Sequence, residues 1–360
     1  MADQLHIESP IPLYRQMCDV LQKEIESQGL TPGTRLPTEK ELAKRFGVSM
    51  ITVRGCVGEM VKEGMLVRRQ GRGTFVASRK PKVTQLLMAI VPDVTDYYCA
   101  RLITGVQSAC AQHGYELITG SSHDLAQSER NLVDRAIARS VEGLIVVTGR
   151  GSFANGYLVG NRVYMPLVIV DSYHPGIEAD FFYTNDVVGA YEATRHLIES
   201  GYRRIGHLMG PKGHFLGELR LHGYRRAMRE AGITVESNWI VEGGTGPDTG
   251  YKALTTLLRQ DLTIDAVFAY NDLVAVGAMR ALAEIGRRVP HDFGIAGYGN
   301  HALAGYVQPP LTTVDMDLEG FGRRVGQRLL GRIRDEVRGE LVKEILPVRL
   351  VVGGSARRTP

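Results

Sequence analysis

Residues 36–76 read LPTEKELAKRFGVSMITVRGCVGEMVKEGMLVRRQGRGTFV, and the rest of the 360-residue chain makes most sense as a device for controlling this stretch. Leu42, Phe46 and Val48 have the spacing of a helix running into a turn, and Gly47 stands where a first helix must stop and the chain reverse. Ser49 is a good N-cap for a second helix. Ile51, Val53, Val57, Met60 and Val61 recur there at helical spacing, which leaves Met50, Thr52 and Arg54 on or near the opposite face. Val67 to Arg69 and Thr74 to Val76 are short strand-like runs. Between them Gln70-Gly71-Arg72-Gly73 is turn chemistry with a cation at its tip. The pattern is that of a winged helix-turn-helix. A helix N-terminus beside a basic hairpin tip suits a protein that enters a DNA groove and grips the flanking phosphates.

Several spaced motifs in one order resemble the DNA-binding domain of the GntR family. They are Pro12-Leu13-Tyr14-Arg15-Gln16, Pro32 to Glu39, Phe46-Gly47-Val48-Ser49, Thr52-Val53-Arg54 and Gly71 to Val76. The resemblance implies DNA-facing roles for Arg35, Lys40, Ser49, Met50, Thr52 and Arg54, with Gln70, Gly71 and Arg72 in the wing. Two features depart from the pattern. Met50 stands where the family usually carries Arg, and a thioether cannot make the bidentate guanine contact open to a guanidinium. Gly55 and Gly58 lie inside the second helix, each costing about 1 kcal/mol against Ala. The expectation is an altered base code with DNA binding retained.

Composition sets the frame. A content of 44% hydrophobic and 23% charged residues over 360 positions is that of a globular protein with two or three domains. The first twenty residues lack an apolar segment of the signal-peptide kind and no run suits a membrane span, so a cytoplasmic protein without membrane attachment is expected. Cys18, Cys56, Cys99 and Cys110 show neither CxxC pairing nor zinc spacing and read as small buried hydrophobes. Residues 1–80 hold 13 Lys and Arg against 9 Asp and Glu, so the remaining 280 are balanced at 30 of each. The basic surplus therefore lies in the reader, which favours a polyanionic partner there and a less charged one elsewhere.

Residues 78–84, SRKPKVT, read as a linker between a reader at 1–77 and a second domain at 85–360. Beyond it, buried-strand runs at Leu86 to Val91, Tyr115 to Thr119, Gly143 to Val147, Leu167 to Val170, Arg204 to Met209, Ala266 to Ala269 and Gly294 to Gly297 alternate with helical ones. The helical runs are Ala100 to His113, Glu129 to Arg139, Ala190 to Ser200, Leu219 to Ala231, Thr249 to Arg259 and Leu273 to Ile285. Repeated strand and helix units predict an α/β fold with parallel sheets and right-handed crossovers, and the length calls for two lobes. A ligand would lie at the carboxyl ends of the strands, in the crevice between the lobes.

Those strand ends carry a second resemblance. Val91-Pro92-Asp93, Val141 to Ile145, Pro166 to Asp171, Gly201 to Gly210, Arg220 to Tyr224, Tyr270 to Ala275, Val289-Pro290 and Pro310 to Val314 look like the LacI/GalR effector domain, which is similar to periplasmic sugar-binding proteins. A GntR-type reader joined to such a sensor is similar to the arabinose repressors of the AraR type. The resemblance implies Asp171, Arg220 and Asn271 as polar anchors, with Asp96, Tyr98, Gly299 and Asn300 also at the ligand. The chemistry suits a sugar: a carboxylate accepts from hydroxyls, a guanidinium donates, an amide does both, and a tyrosine ring can stack. The family's Gly-Tyr-Asp-Asp is here Gly297-Tyr298-Gly299-Asn300, so one carboxylate is absent, and its usual Asp-Asn pair is Asn185-Asp186. Each anchor also has an ordinary alternative. Asp171 could cap a helix, Arg220 could pair with Glu218, and Asn271 could be a turn residue.

Three functions fit some of these features. A ligand-responsive repressor binding double-stranded operator DNA as a homodimer, with a small sugar or sugar derivative as effector, accounts for both halves; corepression and a non-sugar effector stay open. An enzyme is a second reading, but no pyridoxal-lysine context, Gly-x-Ser-x-Gly or HExxH is present, so no catalytic residue, cofactor or metal is expected. A transport binding protein is the third, and it would have no use for a DNA reader.

Overall fold

The computed structural model describes residues 5, 11–27, 30, 33–62, 64–69, 72–77, 84–149, 158, 165–174, 176–337 and 339–357. The chain forms two compact units that divide between Val83 and Thr84. Of the expected linker, residues 78–83 lie outside the described residues, as do Gln70 and Gly71.

In the first unit α1 (Leu13–Ser27), α2 (Glu39–Phe46) and α3 (Met50–Lys62) surround a core of Met17, Leu21, Leu42, Val53, Val57 and Met60. The antiparallel pair β1 (Leu66–Arg69) and β2 (Gly73–Val76) adds Leu66 and Val76 to it. Local chemistry sets the helix ends. Thr38 and Glu41 form a reciprocal capping box at the start of α2, and Gly47 ends it in the left-handed region at φ 65°. Ser49 Oγ accepts from the Thr52 N–H at 3.2 Å and so caps α3. One expectation is corrected here: Ile51, placed with the core face by its spacing, is 82% exposed, and Cys56 is buried in its stead. At about 100° per residue, Ile51 sits roughly 200° from Val53 and cannot share its stripe. Helix α1, which the motif at residues 12–16 did not reveal as a helix, closes the core from the other side.

The second unit is a two-lobed α/β structure. Its first lobe runs β3 (Leu86–Val91), α4 (Tyr97–Gln112), β4 (Glu116–Ser121), α5 (Ala126–Ala138), β5 (Gly143–Val147), β6 (Leu167–Val170) and β7 (Asp180–Thr184). The chain then builds the second lobe from α6 (Asp186–Glu199), β8 (Ile205–Met209), α7 (Phe215–Glu230), β9 (Ile240–Glu242), α8 (Pro247–Gln260), β10 (Ala266–Ala269), α9 (Asp272–Glu284), β11 (Gly294–Ala296) and β12 (Thr313–Asp315). It returns to the first lobe for α10 (Leu318–Ile333) and β13 (Lys343–Leu346), and ends in the second with β14 (Arg349–Val351), antiparallel to β12. The first lobe's parallel sheet has the order β13-β7-β6-β5-β3-β4, the second's β11-β10-β8-β9. Strands β5, β6, β8 and β10 are buried along their whole length, which is why they read as unbroken apolar runs.

Helix α10 escaped the sequence pattern because Gly320, Gly322, Gly326 and Gly331 count against a helix. Packing requires at least one of them: a Cβ on Gly322 would lie 2.0 Å from the Leu102 carbonyl oxygen of α4. Asp180, 1% exposed at the start of β7, takes paired hydrogen bonds from Arg328 and Arg332 and pins α10 to the sheet. Burial alone would raise its carboxyl, but the two guanidinium groups outweigh that and hold it below the usual range.

Three passages cross between the lobes, and they are tied to one another. The Asn185 N–H donates to the Leu346 carbonyl at 3.0 Å, the Thr184 hydroxyl meets Met316 Sδ at 3.8 Å, and Arg349 pairs with Asp315 at 2.8 Å. Strands on both sides thus converge on one hinge.

Candidate functional site

The chain presents two sites, one in each unit. In the first, the exposed surface of α2, α3 and the wing is basic. Lys40 and Arg45 of α2, Arg54 of α3, Arg68 and Arg69 of β1, and Arg72 beyond it are all exposed. Glu39 takes Arg54 at 3.1 Å and Arg68 at 2.7 Å, so one carboxylate aligns a side chain of α3 with one of the wing. Arg68 was not among the expected contacts, because in the sequence only its strand position was visible. Arg35 lies against the wing, its Nε 3.0 Å from the place a Cβ would take on Gly73, and Arg69 stacks over Phe75 at 5.2 Å. The Arg72 N–H closes the hairpin by donating to the Arg69 carbonyl at 2.9 Å. Ser49 is exposed, while Met50 and Thr52 are half-buried.

The second site is a cavity of about 540 Å³ where the lobes of the second unit face each other. Asp96, Tyr98, Asp171, Arg220, Asn271 and Gly299 line it. Asp171 ends β6 in the left-handed region at φ 66° and is 3% exposed, yet its Oδ1 has no hydrogen-bond partner. Burial pushes its carboxyl up to about 7, against the opposing pull of the Tyr98 hydroxyl and Arg220. The buried Tyr98 hydroxyl faces Asp171 but likewise makes no hydrogen bond of normal geometry. A carboxylate and a phenol left unsatisfied at a cavity wall are what an incoming hydroxyl or amine would complete.

Arg220 is held by the protein first. Its Nε donates to Asp186 Oδ1 and its Nη1 to the Tyr270 carbonyl, both at 2.7 Å, and its guanidinium lies 3.9 Å over the Tyr298 ring. The carboxylate that balances it is Asp186, at the mouth of the hinge, rather than Glu218. Asp186 in turn accepts from the Thr184 hydroxyl at 2.7 Å. A guanidinium has five N–H donors, so two bonds to the protein leave it able to serve a ligand too. Asn271 caps α9: its Oδ1 accepts from the Val274 N–H and its Nδ2 donates to the Thr245 carbonyl, each at 2.8 Å. Asp96 caps α4 by accepting from the Cys99 N–H at 3.2 Å.

Asn300 does not line the cavity. It is exposed, with φ 47°, and its side chain turns to Asp315 while its carbonyl accepts from the Tyr97 hydroxyl at 3.3 Å. Tyr97 of the first lobe also meets His301 of the second with ring centroids 4.0 Å apart. This contact across the cavity mouth had no sequence signal, since neither residue falls on a motif. Asp272, also unforeseen, lines the wall, and its oxygens accept from the His301 N–H and the Thr313 hydroxyl at 2.6 Å. Among the described residues Asp93, Asp96, Asp124, Asp171, Glu242 and Asp272 border the cavity, and Arg220, paired with Asp186, is the one Lys or Arg beside them.

A DNA-reading unit joined to a hinged, ligand-accepting one is the build of an effector-controlled DNA-binding protein. Comparison with known proteins agrees. Residues 13–76 match the bacterial regulatory proteins of the gntR family, and residues 194–356 match the periplasmic binding protein-like domain. The chain is similar to the HTH-type transcriptional repressor PurR of Proteus mirabilis (strain HI4320), 34% identical over 327 residues that cover 88% of this chain and 96% of that protein. Among solved structures it is similar to a complex of the transcriptional regulator CelR with cellobiose, at TM-score 0.70 and 25% identity, covering 89% of this chain and all of that one. The lac repressor dimer bound to operator and the anti-inducer ONPF shares the fold at TM-score 0.68 and 22% identity, over 76% of this chain and 94% of that one. The chain belongs to the LacI family of ligand-responsive transcriptional repressors, with a gntR-type reader at its N-terminal end.

Proposed function

We propose that this protein is a homodimeric repressor, acting in the cytoplasm, that leaves its operator when an uncharged carbohydrate closes the cleft of the second unit. The observation that carries the reading is the cavity at the hinge, where Asp171 Oδ1 and the Tyr98 hydroxyl face each other beside Arg220, buried and with no hydrogen bond of normal geometry. Lining charge favours a neutral ligand over a sugar acid or phosphate, because among the described lining residues carboxylates outnumber cations and Arg220 is compensated by Asp186. Its volume is ordinary for a small-molecule site.

Contacts to both lobes would favour a closed arrangement over an open one, and Asp186 joins Arg220 directly to the Thr184 crossover. A dimer supplies what a single winged helix lacks, since two readers related by a two-fold axis recognise two half-sites through one linkage. Among the described residues no helix is long and apolar enough to cross a membrane, and no group of three or more His, Cys, Asp or Glu side chains could hold a metal ion. We assign no catalytic step and no cofactor. Release rather than corepression follows the AraR-like resemblance; closure alone permits either sign.

Thermal denaturation of the full chain against monosaccharides, disaccharides, sugar acids and sugar phosphates tests the ligand. A neutral sugar at 100 times its dissociation constant should stabilise by about 2.7 kcal/mol. Stabilisation confined to the acids or phosphates would contradict the assignment.

A further inference from the structure

Ile51 lies on α3, the second helix of the helix-turn-helix, and is 82% exposed. The core of this unit is filled without it by Val53, Val57 and Met60 of the same helix. Capping by Ser49 places Ile51 in the first turn of α3, the turn whose side chains meet base edges when such a helix enters a major groove. That turn, Met50 to Val53, contains no charged residue, so no cation there can dominate the reading of bases. Lys40 of α2, Arg54 of α3, Arg68 of β1 and Arg72 beyond it are exposed and supply positive charge suited to DNA phosphates.

Base edges in the major groove are donors and acceptors with one apolar exception, the 5-methyl group of thymine. We infer that Ile51 reads a thymine methyl, so that the chain's operator carries a thymine at the base pair facing the first turn of α3. The isoleucine, idle in the free protein, then buries part of its side chain against the one partner in the groove that matches it.

The test begins with selection of binding sites for the full chain from random double-stranded DNA. Each thymine of the selected motif is then replaced singly by deoxyuridine, which keeps pairing and hydrogen-bonding edges and removes only the methyl. At one position in each copy of the motif, wild type should bind about four-fold more weakly, the effect of one buried methyl group. Ile51→Ala should bind the thymine site more weakly by a similar factor and be indifferent to deoxyuridine there, with Ile51→Val between the two. Unchanged thermal denaturation of both variants separates lost contact from lost fold, as exposure of residue 51 leads one to expect. A motif without a methyl-dependent thymine would overturn the inference. So would Ile51→Ala binding as tightly as wild type, or retaining the full response to deoxyuridine.

Discussion

Replacing Arg220 by Met removes a guanidinium whose side chain is 5% exposed and leaves Asp186, whose side chain is fully buried, without its cation. The Thr184 hydroxyl remains as a donor to Asp186. It cannot offset the desolvation of a carboxylate, so the variant should lose roughly 3–5 kcal/mol of second-lobe stability. Asp186→Asn should lose a comparable amount by stranding Arg220. The double variant removes both charges and should lose well under the sum, with a coupling of about 2 kcal/mol or more. Trp239, the only tryptophan of the chain and 3% exposed in the core of the same lobe, makes its fluorescence in a urea titration a local readout. Single variants within about 0.5 kcal/mol of wild type, or a double variant at the sum of the singles, would refute the reasoning that this buried pair supports the site.

Other expectations follow from particular residues. The Asp171 carboxyl titrates near 7 in the folded protein and near 3.8 when unfolded. The native state therefore holds the extra proton between those values, and stability falls by up to roughly 4 kcal/mol as pH rises through that window. Thermal denaturation of Asp171→Asn should exceed wild type by a margin that widens from pH 5 to pH 8, and parallel curves would contradict this. Gly322→Ala drives a methyl against the Leu102 carbonyl and should cost about 2–3 kcal/mol or more by the same assay. Gly58→Ala meets nothing within 4 Å and should stabilise the first unit by roughly 0.5–1 kcal/mol. Arg54→Ala should weaken specific DNA binding by roughly 1–3 kcal/mol in a mobility-shift series, and wild-type affinity would remove it from the contacts.

What the sequence revealed depended on how local the cause was. Capping by Ser49, the reversal at Gly47 and the buried runs at Leu86–Val91, Gly143–Val147, Leu167–Val170 and Ala266–Ala269 are written in neighbouring residues, and the structure has those four strands with the same bounds. Helix α10 was hidden because two of its glycines, Gly322 and Gly326, answer to α4, over two hundred residues earlier in the chain. Ile51 was misplaced because apolarity was taken for burial, whereas its helical phase opposes Val53. In the cleft, Asp171 and Arg220 could be named from strand ends and resemblance. Partners brought together only by the fold could not: Asp186 for Arg220, Tyr97 against His301, and Glu39 spanning Arg54 and Arg68.

Coupling between the two units is the claim on which the proposed function stands. The direct measurement is fluorescence anisotropy of the full chain on its selected DNA site, with and without a neutral sugar shown by thermal shift to bind. Operator affinity should fall by about 5- to 150-fold in wild type, and by reciprocity the DNA should weaken sugar binding by the same factor. Operator affinity that stays constant while the sugar saturates the cleft would contradict the account.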